Sequence, residues 1–131
     1  MTQHLPAITV RPLPSSDYPA VLQMRVDAFS AEGVVPWPQE GQPHYIPADR
    51  RLGAYDQDRL VGHAGAWDFG QWLGGRRVPM AGIGSVIVVP EARGRGVGGA
   101  LVNAVLSQAA EQGDVISCLY PTAPGVYRRF G

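Results

Sequence analysis

The sequence changes character at Pro90, and that change constrains the fold more than anything else in the chain. Before it runs Met80-Ala81-Gly82-Ile83-Gly84-Ser85-Val86-Ile87-Val88-Val89. So continuous an apolar run reads as a strand buried on both faces. Pro90 ends it. Shortly after comes Arg93-Gly94-Arg95-Gly96-Val97-Gly98-Gly99, and this glycine-rich stretch opens a helical pattern from Val97 to Gln112. Val97, Leu101, Val105 and Ala109 form its apolar stripe, Val102 and Leu106 widen it, and Gly113 stops it. The glycines leave backbone N–H groups uncovered at a helix N-terminus, where the macrodipole adds about half a positive charge. Arg93 and Arg95 add two cations. A pyrophosphate is the natural ligand for such a loop.

Other readings of the loop are weaker on physical grounds. Gly94-x-Gly96-x-x-Gly99 has the spacing of a dinucleotide fingerprint. In that fold, however, the first glycine directly follows the first strand of a βαβ unit. Here several strands come first and Pro90-Glu91-Ala92-Arg93 intervenes. The next strand, Val115 to Tyr120, ends without the acid that would hold a ribose. No Gly-Lys-Ser/Thr follows, which excludes a P-loop. Arg-Gly repeats also occur in disordered RNA-binding tails, but this is one copy between a strand and a helix. The plainest alternative is a tight strand-to-helix turn with exposed arginines.

The rest of the chain supplies the sheet. Ile8 to Pro12 alternates as a first strand. Ser15-Ser16-Asp17 offers an N-cap, Pro19 falls in the first helical turn, and Leu22, Val26 and Phe29 mark an amphipathic helix. Gly33 to Pro47, with four prolines, Trp37 and Tyr45, reads as a loop or broken helix that could serve as a substrate lid. Leu52 to Asp56 and Leu60 to Phe69 read as strands joined at Gln57-Asp58, and Gly74-Gly75 signals a hairpin. Val115 to Tyr120 reads as another buried strand. The predicted order is β-α-(α)-β-β-β-α-β.

Composition narrows the function. With 131 residues and 45% hydrophobic content, one domain with a real core is expected. The formal net charge of zero argues against a general grip on nucleic acid. All eleven basic residues are arginine. No signal peptide or membrane-length apolar run is present, and Cys118 is alone, so the chain reads as a cytoplasmic protein. His4, His44 and His63 lack metal-ligand spacing, so no metal is expected. Cys118 reads as a buried, inert thiol. Asp27, Glu32 and Glu40 flank the lid, where acids would attract a cationic amine, although ordinary solvated acids look the same. Trp37, Trp67 and Trp72 receive no role.

Arg93-Gly94-Arg95-Gly96-Val97-Gly98 matches the Q/R-x-x-G-x-G/A signature of the GNAT superfamily of N-acyltransferases, and Val86 to Pro90 resembles that superfamily's central strand. Three stretches resemble its enhanced-intracellular-survival (Eis-like) branch: Val78 to Gly84, Val88 to Glu91, and Tyr120-Pro121-Thr122 followed by Val126-Tyr127-Arg128-Arg129-Phe130-Gly131. The resemblance implies an α/β (α+β) fold: a mixed, largely antiparallel central sheet flanked by helices. It also implies that the last strands are missing, so that residues 1–131 are a truncated N-terminal GNAT domain.

The resemblance further implies acetyl transfer from acetyl-coenzyme A to a small-molecule primary amine by direct attack. Backbone groups of Val86 and Val88 would pair with the pantetheine arm. Arg93, Gly94, Arg95, Gly96, Val97, Gly98 and Gly99 would cradle the pyrophosphate. The Val86 N–H would also face the thioester oxygen, and Tyr127 would protonate the departing thiolate. A phenol is a competent acid for that task, though an aromatic closing the core would also explain Tyr127. In the Eis-like branch the general base is the C-terminal carboxylate of a longer chain, which these residues do not contain, and full-length chains assemble as homo-oligomers. A non-catalytic coenzyme A-binding or structural module is the alternative, with a dinucleotide-dependent enzyme behind it.

Overall fold

The computed structural model describes residues 7–29, 39–42, 45–121 and 123–130. Five strands form one sheet in chain order: β1 (Ile8–Pro12), β2 (Arg51–Asp56), β3 (Arg59–Leu73), β4 (Arg76–Val88) and β5 (Ile116–Leu119). The first four run antiparallel, and β5 lies parallel to β4. A parallel pair needs a crossover, and α2 (Val97–Glu111) provides it. Helix α1 (Tyr18–Phe29) follows β1, and the short α3 (Pro124–Tyr127) follows β5. This is the mixed, mostly antiparallel α/β sheet flanked by helices that the resemblance implies.

The stripe on α2 is the main core contact. Val97, Leu101, Val105 and Ala109 are buried against Leu52, Ala54, Val61, Ala64, Ala66, Ala81 and Ile83 of the sheet. Each fully buried valine or leucine there contributes on the order of 1.5–3 kcal/mol. The helix ends as the glycine signal requires, with the Gly113 and Asp114 N–H groups donating to Ala110 O and Ala109 O. Arg50 then ties this end to the residues before β2, through a 2.8 Å bond to Asp114.

A second cluster lies under α1. Leu13, Tyr18, Val21 and Tyr55 are buried together, with the Arg51 guanidinium 3.5 Å from the Tyr18 ring centroid. Here the buried face differs from the expected one: Leu22 and Val26 are only half-buried, whereas Tyr18 and Val21 face inward. Ser15–Asp17 forms a 3-10 turn, and the Asp17 carboxylate accepts the Tyr55 hydroxyl at 2.6 Å. That bond ties the turn before α1 to β2.

Strand β5 also departs from expectation. It is the edge of the sheet, not a buried strand: Val115 is 64% exposed, Ile116 36% and Tyr120 97%. Cys118 is half-buried. An apolar run reads alike in a central and an edge strand, because periodicity does not report how many neighbours a strand has. Most of the expected lid, with Trp37 and Glu32, lies outside the described residues, as do His4 and His44.

Candidate active site

The site begins at an irregularity in β4. Gly65 pairs with Gly84 and His63 with Ile87, so Ser85 and Val86 together face the single residue Ala64. This is a β-bulge, and Ser85 takes the left-handed φ of 51°. A non-glycine residue there costs roughly 1–2 kcal/mol. One hydrogen bond meets much of that cost, at about 1 kcal/mol. His63 Nδ1 sits 2.8 Å from Ser85 O, and the imidazole is fully buried. Burial pushes the His63 pKa down to about 4, with the Arg51 and Arg25 charges acting the same way and the Ser85 bond opposing. The ring is therefore neutral near pH 7. Beside a carbonyl it must carry its proton on Nδ1, so that Nδ1–H donates to Ser85 O.

The bulge coincides with a parting of strands. Strand β5 pairs with β4 only from Met80 to Ile83. Beyond Ile83, β4 keeps β3 on one side and opens on the other. Val89 N–H donates to Val61 O on β3 at 2.9 Å. Strand alternation then turns the N–H groups of Val88 and Val86 toward the open side.

Past β4, Pro90–Ala92 forms a 3-10 turn that buries Ala92. Gly94 and Gly96 follow at φ 78° and 76°, and nothing lies within 4 Å of a Cβ built on either. Their conformation demands glycine, and the space above them is open. Gly96 is the N-cap of α2 and makes no side-chain cap bond. The first amides of the helix therefore have no intrahelical acceptor.

These parts enclose a cavity of about 810 Å³. Val86 and Val88 line one wall, and Arg93, Gly94, Gly96, Val97, Gly98 and Gly99 line another. Ala123, Val126, Tyr127 and Arg129 close it from α3 and the turn that follows. Among the described residues its lining includes no acid. The structure thus brings the expected residues together, with one exception. Arg95 does not line the cavity: its Nη1 bonds Asp56 Oδ2 at 2.8 Å, at the end of β2. Of the two cations that the sequence places in the loop, Arg93 lines the cavity and Arg95 is held by Asp56.

A second cation does reach the site. Arg129 Nη2 lies 3.2 Å from where a Gly99 Cβ would be, over the first turn of α2. No periodic signal marked it; its one trace in the sequence was the doublet Arg128-Arg129.

The remaining candidates fall elsewhere. Asp27 lines a smaller cavity of about 230 Å³ with Met24 and Glu91, which shares Val88 and Arg93 with the larger one. Glu40 is exposed. Trp67 stacks on Phe69 with centroids 5.9 Å apart, and Trp72 is 67% exposed. Among the described residues no His, Cys, Asp or Glu cluster could hold a metal. No helix among them is long and apolar enough to cross a membrane.

The central sheet thus parts at a bulge beside a glycine-rich loop that starts a helix. Residues 9–131 match the acetyltransferase (GNAT) domain family, and the chain belongs to it. An uncharacterized N-acetyltransferase of Streptomyces avermitilis is 39% identical over 84 residues, covering 63% of this chain and 20% of that protein. The GCN5-related N-acetyltransferase from Kribbella flavida superimposes with a TM-score of 0.78 at 35% identity, over 97% of this chain and 33% of that one. Eis1 from Mycobacterium abscessus does so with a TM-score of 0.79 at 28% identity, over 95% of this chain and 31% of that one. The chain thus spans about a third of the length of these solved relatives.

Proposed function

We propose that this domain transfers an acetyl group from acetyl-coenzyme A to a small-molecule primary amine by direct attack, within the Eis-like branch and in the cytoplasm. One observation carries the reading: a single cavity unites the open edge of β4, the uncapped amides of the glycine loop and Tyr127. The residues fit the co-substrate. Gly94 and Gly96 leave room above their amides, and Arg93 and Arg129 bring positive charge to an acid-free lining. Acetyl-coenzyme A would supply the activated thioester.

In this reading the amides of residues 93–99, Arg93 and Arg129 hold the pyrophosphate. The Val86 and Val88 backbone takes the pantetheine arm as an added strand. Val86 N–H donates to the thioester oxygen where negative charge develops, which is the most effective place for a fixed donor. Holding amine and thioester together removes much of the entropic barrier. As the C–N bond forms and the C–S bond breaks, the Tyr127 hydroxyl gives its proton to the thiolate. In this reading the amine's proton acceptor lies outside the described cavity lining, and the protein works as a homo-oligomer.

Acetyl-coenzyme A should raise the melting temperature and NAD should not. No shift at millimolar acetyl-coenzyme A would overturn the reading. In acetylation-competent protein, Tyr127→Phe should lower turnover about tenfold or more with little change in affinity; unchanged turnover removes it as the acid. The second reading is a coenzyme A-binding module without catalysis. The lack of any carboxylate or imidazole in the described cavity lining favours it, and binding without acetylation of any amine would select it.

A further inference from the structure

We propose that His63 is a positioning residue: its Nδ1–H bond to Ser85 O locks the β4 bulge that turns the Val86 N–H into the coenzyme A cavity. The inference rests on the proposed function and goes beyond it, because His63 lies outside the cavity and touches none of its contents.

The bulge decides which residues of β4 face the site. Before it, Ala81 and Ile83 sit in the core packed under α2; after it, Val86 and Val88 pack against that same core. An odd-numbered face has become an even-numbered one. In a strand, the face of a side chain and the edge to which its N–H points are coupled. A regular β4 would carry Val86 and Val88 to the α1 side and turn their N–H groups back toward β3. The cavity would then lose its backbone donors even with every side chain unchanged. The extra residue, Ser85–Val86 opposite Ala64, prevents this.

What keeps the bulge in place is narrow. Its first residue is serine, not glycine, held at φ 51°. The fully buried His63 side chain supplies a bond to the carbonyl of that residue at 2.8 Å. The other ring nitrogen, Nε2, is buried with no hydrogen-bond partner among the described residues. A buried polar atom left unsatisfied disfavours the residue, and the Ser85 bond is the one hydrogen bond that the ring gains in return.

The test uses the 131-residue chain and acetyl-coenzyme A, with affinity measured by titration calorimetry. His63→Leu keeps most of the volume and removes the donor; it should weaken binding about tenfold or more. Adding Ser85→Gly should restore most of that loss, since glycine holds a left-handed φ without help. His63→Asn, whose side-chain amide places a donor near Nδ1, should bind close to the original chain. Unchanged affinity in His63→Leu would overturn the role. So would a loss that Ser85→Gly fails to restore while both variants remain folded by circular dichroism. If His63→Leu does not fold, the unsubstituted protein still decides: its ¹⁵N–¹H imidazole spectrum at pH 7 should show the proton on Nδ1, and a proton on Nε2 overturns the proposal. Failure of the unsubstituted chain to bind acetyl-coenzyme A would instead sink the proposed function, and this role with it.

Discussion

The two halves of β4 are one strand with two jobs. From Met80 to Ile83 it has β3 on one side and β5 on the other. Its backbone is paired on both edges, and Ala81 and Ile83 are locked under α2. From Ser85 to Val88 it has β3 alone, and its other edge opens on the 810 Å³ cavity. The first half turns sequence into stability. The second leaves part of its hydrogen-bonding capacity open at a defined place, beside a helix end that does the same. Substitutions in the two regions should therefore separate stability from binding.

The largest separation is expected at Gly96. Its φ of 76° excludes a β-branched residue without strain, and its amide lies at the mouth of α2. Gly96→Val should weaken acetyl-coenzyme A binding on the order of a hundredfold, the equivalent of one or two charge-assisted hydrogen bonds. Calorimetry on the folded variant checks this, and retained binding would remove the loop from the site.

Next in size is a pH effect at the junction of the halves. Unfolded, His63 takes up a proton near pH 6.5; folded, not until about pH 4, chiefly because burial desolvates the ring. Between those values the unfolded chain binds more protons, so stability rises with pH. The contribution is complete above pH 6.5 and is lost as pH falls toward 4, by up to about 3 kcal/mol. Urea unfolding at pH 7.5, 5.5 and 4.5 should show the loss, and His63→Leu should flatten it. An equal slope in the variant would assign the effect to other groups.

A smaller and more discriminating pair is Gly84→Ala and Gly98→Ala. A Cβ on Gly84 would fall 2.0 Å from the Trp67 ring, whereas one on Gly98 would meet only Val88 Cγ2, at 3.8 Å. Gly84→Ala should destabilise by about 1–3 kcal/mol through overpacking. Gly98→Ala should leave stability unchanged or raise it by up to about 1 kcal/mol, because alanine favours the helix. Its methyl group, on a residue lining the cavity, should nevertheless weaken binding severalfold. If Gly98→Ala binds normally, the cavity wall is not where the ligand lies.

The same contrast explains how much was legible beforehand. The loop, the α2 stripe and the β3–β4 hairpin follow from residue type and spacing, because glycine, proline and a 3.6-residue period act locally. Three features depend on partners far away in the chain. The buried face of α1 packs on Leu13 and on Tyr55, which bonds Asp17 from 38 residues away. The exposure of β5 follows from its place at the sheet edge. The bulge at Ser85 follows from a histidine 22 residues earlier. In each case a residue type was visible and its partner was not.

The arginines test that lesson directly, with the smallest expected effects. Arg93 and Arg95 look equivalent in the sequence, yet only Arg93 lines the cavity, while Arg95 bonds Asp56 with its side chain 18% exposed. Arg129, distant in sequence, lies over the first turn of α2. Arg129→Gln should therefore weaken acetyl-coenzyme A binding about three- to tenfold, with the deficit shrinking as salt rises and screens the lost charge. Arg95→Gln should leave affinity within about twofold and lower stability by up to about 1 kcal/mol, the range of a partly exposed ion pair. Calorimetry at two salt concentrations and a urea melt separate the outcomes. The reverse pattern, with affinity falling in Arg95→Gln and not in Arg129→Gln, would mean that Arg95 leaves Asp56 when phosphate arrives. The open half of β4 would then face a loop that rearranges on binding, in place of one already formed.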